Sequence, residues 1–321
     1  MEISQIYVYP VKSLRGTALQ SATLSKEGFV IDRKYMLMNV QRDKLENMHI
    51  THFPRMALFC TSIEGDNITI NYHEPLGADT AKQTLKIPLR PSYEGLAEVP
   101  IEMHSSPTIG YDMGNKYGKW FSDIFGFNVR LIHWGGNARQ VLGNLPGRKQ
   151  NQPPPSNGLL STLTSYVPVI GSWFRWENER IAFNDIAPFL VITEESLANA
   201  AGRLPQGHTL DPTKFRANLV LKGAPEAWDE DFWGILTINE GIKMTLTANC
   251  ARCVSIIVDY TTGQSGTGDT ATLLKSLMKD RRVDPGLKFA PVFGSDLAML
   301  KRVVRMHRAI LRVAYLKPER L

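Results

Sequence analysis

Short runs in which hydrophobic and polar residues alternate, broken every few positions by Gly, Pro, Asn or Asp, fill most of the first 135 residues and return after residue 180. Residues 1–10 and 67–72 (Asn-Ile-Thr-Ile-Asn-Tyr) follow this period of two, which predicts half-buried strands. Between residues 57 and 89 turn signals recur too often for long helices. Residues 112–125 differ: Tyr117, Trp120, Phe121 and Ile124 recur at helical spacing ahead of Gly126, which predicts a helix with an aromatic core face. Residues 29–38 read as an apolar strand carrying Asp32 and Arg33, charges that must be paired, bind something or face water.

In the second half, residues 189–192 predict a strand entering a helix capped by Thr193, with Glu194 and Glu195 in its first turn. Residues 214–222 predict an extended segment with Arg216 and Asn218 on one face. Residues 235–239 and 243–247 predict a strand pair that delivers the chain to Cys253, followed by a β-branched strand over 254–260. Residues 269–279 predict a short helix. From 297 to 316 the pattern is helical, with Leu297, Leu300, Val303, Val304, Ile310 and Leu311 on one side and Lys301, Arg305, Arg308 and Arg312 on the other. Such a tail would pack on the domain and shield an open sheet edge, or else lie in an anionic membrane interface. The organisation expected is a β domain over 1–135, a loop or insertion over 136–180, a second domain over 181–294 and the basic helical tail over 295–321. Within the insertion, residues 147–158 hold a triple proline, and the apolar run at 159–174 is too short and interrupted to span a bilayer.

Composition narrows the class. With 321 residues, 43% hydrophobic and 21% charged, the chain is globular material for two domains or one large one. Three cysteines argue against a disulfide scaffold and for a reducing compartment. A net charge of +6 suits an anionic cofactor, an acidic protein partner or a membrane surface, and no motif points to nucleic acid. Neither a secretory signal nor an uninterrupted spanning run is evident.

Two cysteines, Cys250 and Cys253, stand three positions apart. A structural zinc site needs four ligands, and the remaining cysteine, Cys60, is remote and has no partner at metal spacing. A redox dithiol uses a helix N-terminus to lower its first thiol, whereas here a strand pattern follows. One working thiolate, Cys253, is the better reading, and thiolate is a soft ligand suited to a redox metal.

The segment Ala251-Arg-Cys-Val-Ser-Ile-Ile-Val-Asp-Tyr-Thr-Thr-Gly263 resembles the cysteine segment of the MOSC domain family, in its amidoxime-reducing branch. Further motifs match in order: Tyr9-Pro-Val-Lys-Ser13, Gly28-x-x-x-Asp-Arg33, Asp185-x-x-Pro-Phe-Leu190 and Phe215-Arg-x-Asn218. The resemblance, covering residues 1–294, implies an α+β, β-rich fold, a MOSC N-terminal β-barrel-like domain followed by a MOSC β-barrel. It implies a molybdenum–molybdopterin cofactor (Moco) with Cys253 as metal ligand and catalytic residue. The cofactor contacts implied are Lys12, Ser13, Arg33, Asp185, Arg216 and Asn218, with Thr51 a lesser one because the family's Thr-x-Arg pair falls here on His49 and Thr51. Asp185 is expected at the pterin's N–H donors and the cations at its phosphate.

The activity implied is reduction of N-hydroxylated compounds such as amidoximes and hydroxylamines, with electrons from cytochrome b5 and NADH-cytochrome b5 reductase. The alternative is a cofactor carrier or a sulfurase-type MOSC domain without reductase activity. A cytoplasmic site and the mitochondrial outer surface both suit a reducing compartment, and the membrane anchor of animal members does not carry over. After Gly294 the chain departs from the family, whose closing strand is replaced by the helical pattern.

Overall fold

The computed structural model describes residues 1–42, 44–75, 83–104, 106–137, 139–140, 180–238, 242–287, 289–299 and 316–320. The protein is α+β and rich in strands, with an N-terminal barrel-like module leading into a larger mixed sheet. In the N-terminal module five antiparallel strands run in the order Glu98–Met103, Ser106–Asp112, Val129–His133, Tyr35–Gln41 and Lys44–Asn47. A second sheet holds Phe59–Glu64, Asn67–Tyr72 and Gln83–Pro88. The alternation at 67–72 is its middle strand, with Ile68, Ile70 and Tyr72 buried. The helix signalled by spaced aromatics is Asn115–Phe125, which buries Phe121, Ile124 and Phe125 and ends at Gly126 in the left-handed region, φ 81°. Phe59 stacks on Phe125 with centroids 5.2 Å apart, tying sheet to helix.

The larger sheet has eight strands, in the order Thr17–Leu19, Glu2–Val8, Leu219–Lys222, Phe189–Thr193, Val292–Met299, Ile242–Ala251, Trp233–Ile238 and Leu316–Arg320. Only Phe189–Thr193 and Leu219–Lys222 pair in parallel, and the crossover this requires carries the helix Glu194–Ala201. Thr193 caps that helix, its Oγ1 accepting from Ser196 N at 3.1 Å. The strand that opens the chain lies in this sheet, with Ile6 opposite Leu219 and Glu2 opposite Lys222. Residues 1–135 are therefore continuous in sequence but divided between the larger sheet and the sheets of the N-terminal module.

Four expectations about local structure are corrected. Residues 29–38 are not one strand: Gly28–Phe29 and Tyr35–Gln41 flank a turn in which Arg33 has φ 51°. Residues 254–260 do not continue as a strand. The long strand Ile242–Ala251 ends before Cys253, and Val254–Ile257 is a 3-10 turn. The β-branched residues there serve packing, with Ile256 and Val258 fully buried, which is what β propensity measures. Arg216 is not in an extended segment but closes the 3-10 turn Pro212–Phe215 at φ 57°. Leu297, expected on a helix, is fully buried in the strand Val292–Met299 opposite Phe189 and Leu246, because a short apolar run fits either period.

The chain also supplies a closing strand. Leu316–Arg320 lies antiparallel on Trp233–Ile238, where Pro318 is tolerated because an edge strand need not donate every amide. The basic residues expected on a tail helix, Lys301 to Arg312, lie outside the described residues, as do residues 141–179 of the insertion. Arg139–Gln140 pairs with Arg180–Ile181, so the two ends of that insertion meet.

Candidate active site

Turns from distant parts of the chain converge beside the Phe189–Thr193 strand. Gly28 has φ 108°, and a Cβ there would stand 2.9 Å from the Pro188 carbonyl oxygen, so glycine lets the 28–33 turn lie against the loop carrying Asp185. Asp32 is fully buried and organises that turn. Its Oδ1 accepts from Tyr9 N at 2.8 Å, and its Oδ2 accepts from Arg33 Nη1 at 2.5 Å and Asn184 Nδ2 at 3.2 Å. Arg33 in turn donates from Nη1 to Asn218 Oδ1 at 3.3 Å and from Nη2 to the Arg216 carbonyl at 3.0 Å.

Arg216 and Arg33 both stand over the ring of Tyr9: their guanidinium carbons lie 4.4 Å and 4.8 Å from its centroid. Arg216 Nη1 donates to the Leu14 carbonyl at 2.7 Å, while its Nη2 is buried with no hydrogen-bond partner. Burial and the neighbouring Arg33 both lower the pKa of Arg216. An anion at this point would satisfy the orphaned donor and offset the repulsion.

On the opposite wall the long strand Ile242–Ala251 brings the two cysteines into place. Arg252 braces the turn beyond it, donating to the Phe215 carbonyl at 2.8 Å and to the Phe293 carbonyl at 2.9 Å. Gly294, at φ 74°, lets its strand lie close against the Phe189–Thr193 strand, since a Cβ there would stand 2.5 Å from the Val191 carbonyl oxygen. Cys253 is exposed, its Sγ 3.3 Å from Ser255 Oγ. Cys250 is half-buried, and burial pushes its thiol up to about 12.

Two carboxyls stand on the same cavity in opposite conditions. Asp185 accepts from Lys12 Nζ and lies 3.1 Å from His104 Nε2. Crowding by protein opposes its charge, but Lys12 and His104 hold it well below the usual carboxylate range. Asp296 is 7% exposed, and its Oδ2 is buried without a partner. Burial pushes its carboxyl up to about 7 against the pull of Arg252.

These groups surround a cavity of about 170 Å³. Of the residues picked out from the sequence, the cavity brings together Arg33, Asp185, Arg216, Asn218 and Cys253. Lys12, Ser13 and Thr51 are not on its wall. Lys12 is buried, with its ammonium against Asp185 and donating to the Phe183 carbonyl at 3.1 Å, so it reaches the site only through Asp185. The contacts of Lys12 and His104 are both made at Asp185 Oδ1, and the carboxylate is otherwise exposed. Asn218 is occupied too: its Oδ1 accepts from Leu190 N at 3.2 Å and its Nδ2 donates to the Tyr7 carbonyl at 3.2 Å, besides the bond from Arg33. Its role on this wall is to join three segments. Lys214, Arg252 and Asp296 line the cavity without having been singled out. Asp296 carried a signal, an acid inside an otherwise apolar strand, the same signal that drew attention to Asp32.

Comparison with known proteins gives two matches in the same order as the modules. The profile of the MOSC N-terminal beta barrel domain matches residues 1–128, and that of the MOSC domain matches residues 178–307. The chain belongs to the MOSC domain family. Among MOSC relatives, human mitochondrial amidoxime-reducing component 1 is 26% identical over 302 residues, 91% of this chain and 77% of that protein. The zebrafish (Danio rerio) component 1 is 23% identical over 323 residues, 98% of this chain and 85% of that one. The molybdenum cofactor sulfurase of Arabidopsis thaliana is 24% identical over 269 residues, 81% of this chain but 29% of the plant protein.

The MOSC cavity fits a molybdenum–molybdopterin group by its donor set. Arg216 offers a buried unpartnered N–H for an anionic phosphate, beside Arg33 and Lys214, and Cys253 offers an accessible soft ligand on the same cavity. Among the described residues no cluster of three or more His, Cys, Asp or Glu side chains would hold a bare metal.

Proposed function

We propose that this MOSC protein is a molybdenum cofactor-dependent oxidoreductase that reduces N-hydroxylated compounds, amidoximes and hydroxylamines among them. The observation that carries the reading is an exposed Cys253 on the same cavity as Arg216, whose buried Nη2 has no partner. The names of the relatives aligned along nine-tenths of the chain support the reaction class. When bound, the cofactor supplies two-electron redox chemistry at molybdenum.

The chain's own residues hold and shape that site. Cys253 ligates the metal through its sulfur, Arg216 and Arg33 bind the cofactor's anionic end, and Tyr9 keeps the two guanidiniums in register. Asp185, held ionised by Lys12 and His104, orients donors at the cavity mouth. Electrons come from cytochrome b5 and its NADH-dependent reductase, and the net charge of +6 favours an acidic haem partner.

The test is direct. Protein purified with cofactor should contain molybdenum and molybdopterin and, with NADH, cytochrome b5 and its reductase, convert benzamidoxime to benzamidine. A protein that hands its cofactor to an acceptor apoenzyme and reduces nothing is instead a carrier.

A further inference from the structure

Reduction of an N–O bond takes up two electrons and two protons: the N–O bond breaks, one proton goes to nitrogen, one to oxygen, and water leaves. On the reductase reading above, the electron pair comes from the reduced molybdenum cofactor. The oxygen leaves poorly as hydroxide, so a positioned proton donor lowers the barrier. We propose that Asp296 is that donor, delivering its carboxyl proton to the oxygen as it departs.

Asp296 lies in the strand Val292–Met299, opposite Leu190 on one side and Ala248 on the other. It is more than nine-tenths buried, and its Oδ2 has no partner, so the carboxyl serves no hydrogen bond there that would explain an acid in an apolar strand. It lines the same cavity as Cys253. The charged and titratable groups facing it are Arg252, Asp185 and Arg33, with the half-buried Cys250 beside it.

Arg252 would stabilise the ionised form most, but its guanidinium is committed to the Phe215 and Phe293 carbonyls. Burial therefore dominates, and the carboxyl keeps its proton up to about pH 7. Asp185, on the same cavity, stays ionised against Lys12 and His104. Two carboxyls driven apart in one site are the usual mark of divided acid and base roles. After turnover, water in the open cavity returns the proton to Asp296.

The test uses full-length Asp296→Asn and Asp296→Glu, with rates expressed per bound molybdenum. Asp296→Asn should keep its molybdenum and pterin, lower kcat for benzamidoxime by about 100-fold or more, and lose the fall in kcat that wild type shows as pH rises through neutrality. Asp296→Glu should recover part of the rate. In cofactor-free protein at pH 6, the infrared carboxylic-acid band should be weaker in Asp296→Asn than in wild type. A wild-type kcat and pH profile in Asp296→Asn, with wild type active, overturns the donor role alone, as does an unchanged infrared band. Loss of pterin from Asp296→Asn would make the residue a binding group and also overturn it. A molybdenum-loaded wild type that reduces no N-hydroxylated compound overturns the reductase reading, and the donor role with it.

Discussion

Cys250 and Cys253 stand three positions apart on one strand end and turn, yet Cys253 is exposed while Cys250 is half-buried, and burial raises the Cys250 thiol to about 12. The pair is therefore one available sulfur and one packing residue, neither a dithiol nor half of a zinc site. At pH 8 a thiol titrating near 12 is only about one part in 10,000 thiolate. Iodoacetamide should modify Cys253 in the native cofactor-free chain and Cys250 only after unfolding, as read by mass spectrometry. Cys253→Ala should lose molybdenum and reductase activity together, and Cys250→Ala should keep most of both. Equal activity in Cys253→Ala and the parent would end the ligand assignment.

Arg216→Ala removes a guanidinium with one unpartnered nitrogen in the cavity. A charge-assisted bond of about 1.5–3 kcal/mol corresponds to a loss of roughly 10- to 150-fold in cofactor affinity. Pterin fluorescence after denaturing extraction measures it. Arg216→Lys should recover little, since one nitrogen lacks the planar fork that places Nη1 at the Leu14 carbonyl and Nη2 at a separate point in the cavity.

Asn218→Ala should act on stability more than on chemistry. Its amide bridges Tyr7, Leu190 and Arg33, and truncation strands the buried Leu190 N–H. The expected cost is about 1–3 kcal/mol in urea unfolding, with cofactor affinity per folded molecule changed less than in Arg216→Ala.

Asp296 also gives the cofactor-free chain a pH signature. An unfolded aspartate loses its proton near 3.9, whereas folded Asp296 keeps it to about 7. Between those values the folded chain binds the extra proton, so this residue's contribution to stability declines as pH rises through the window. Asp296→Asn should be increasingly more stable than wild type from pH 4 to 7 and level off above, by at most about 4 kcal/mol. Asp185 has the opposite sign: its depressed pKa contributes stability that is present above the ordinary carboxylate value and lost as pH falls. Parallel urea titrations of wild type and Asp296→Asn across this range check the first sign, and titrations of wild type and Asp185→Asn continued below pH 4 check the second.

Removing residues 316–321 uncovers the Trp233–Ile238 edge, which pairs with Leu316–Arg320. The melting temperature should fall by several degrees, at about 2–4 °C per kcal/mol lost, and light scattering should show association through the freed edge. An unchanged melting temperature would mean that this strand adds nothing to the sheet.

Elements whose signal is local were legible in the sequence. Asn67–Tyr72 alternates, the Asn115–Phe125 helix spaces its aromatics by turns, and Thr193 announces the helix it caps, because each depends on neighbours within a few residues. The family motifs likewise named half of the charged wall, Arg33, Asp185 and Arg216, and the cysteine.

What the chain does between its motifs is decided by contacts far away in sequence. Arg33 and Arg216 take left-handed conformations that their own residue types disfavour, and each is held by bonds across nearly two hundred positions. Val254, Ile256 and Ile257 are β-branched yet lie in a turn, which carries Ile256 into the core and leaves Val254 exposed. Leu297 follows a helical period but sits between two strands, where the ladder outweighs propensity. Residue identity determined which groups were available for chemistry. Tertiary structure decided their state: Asp185 and Asp296 are the same side chain, and an exposed place beside Lys12 and His104 makes one a fixed charge, while burial in a strand makes the other a held proton.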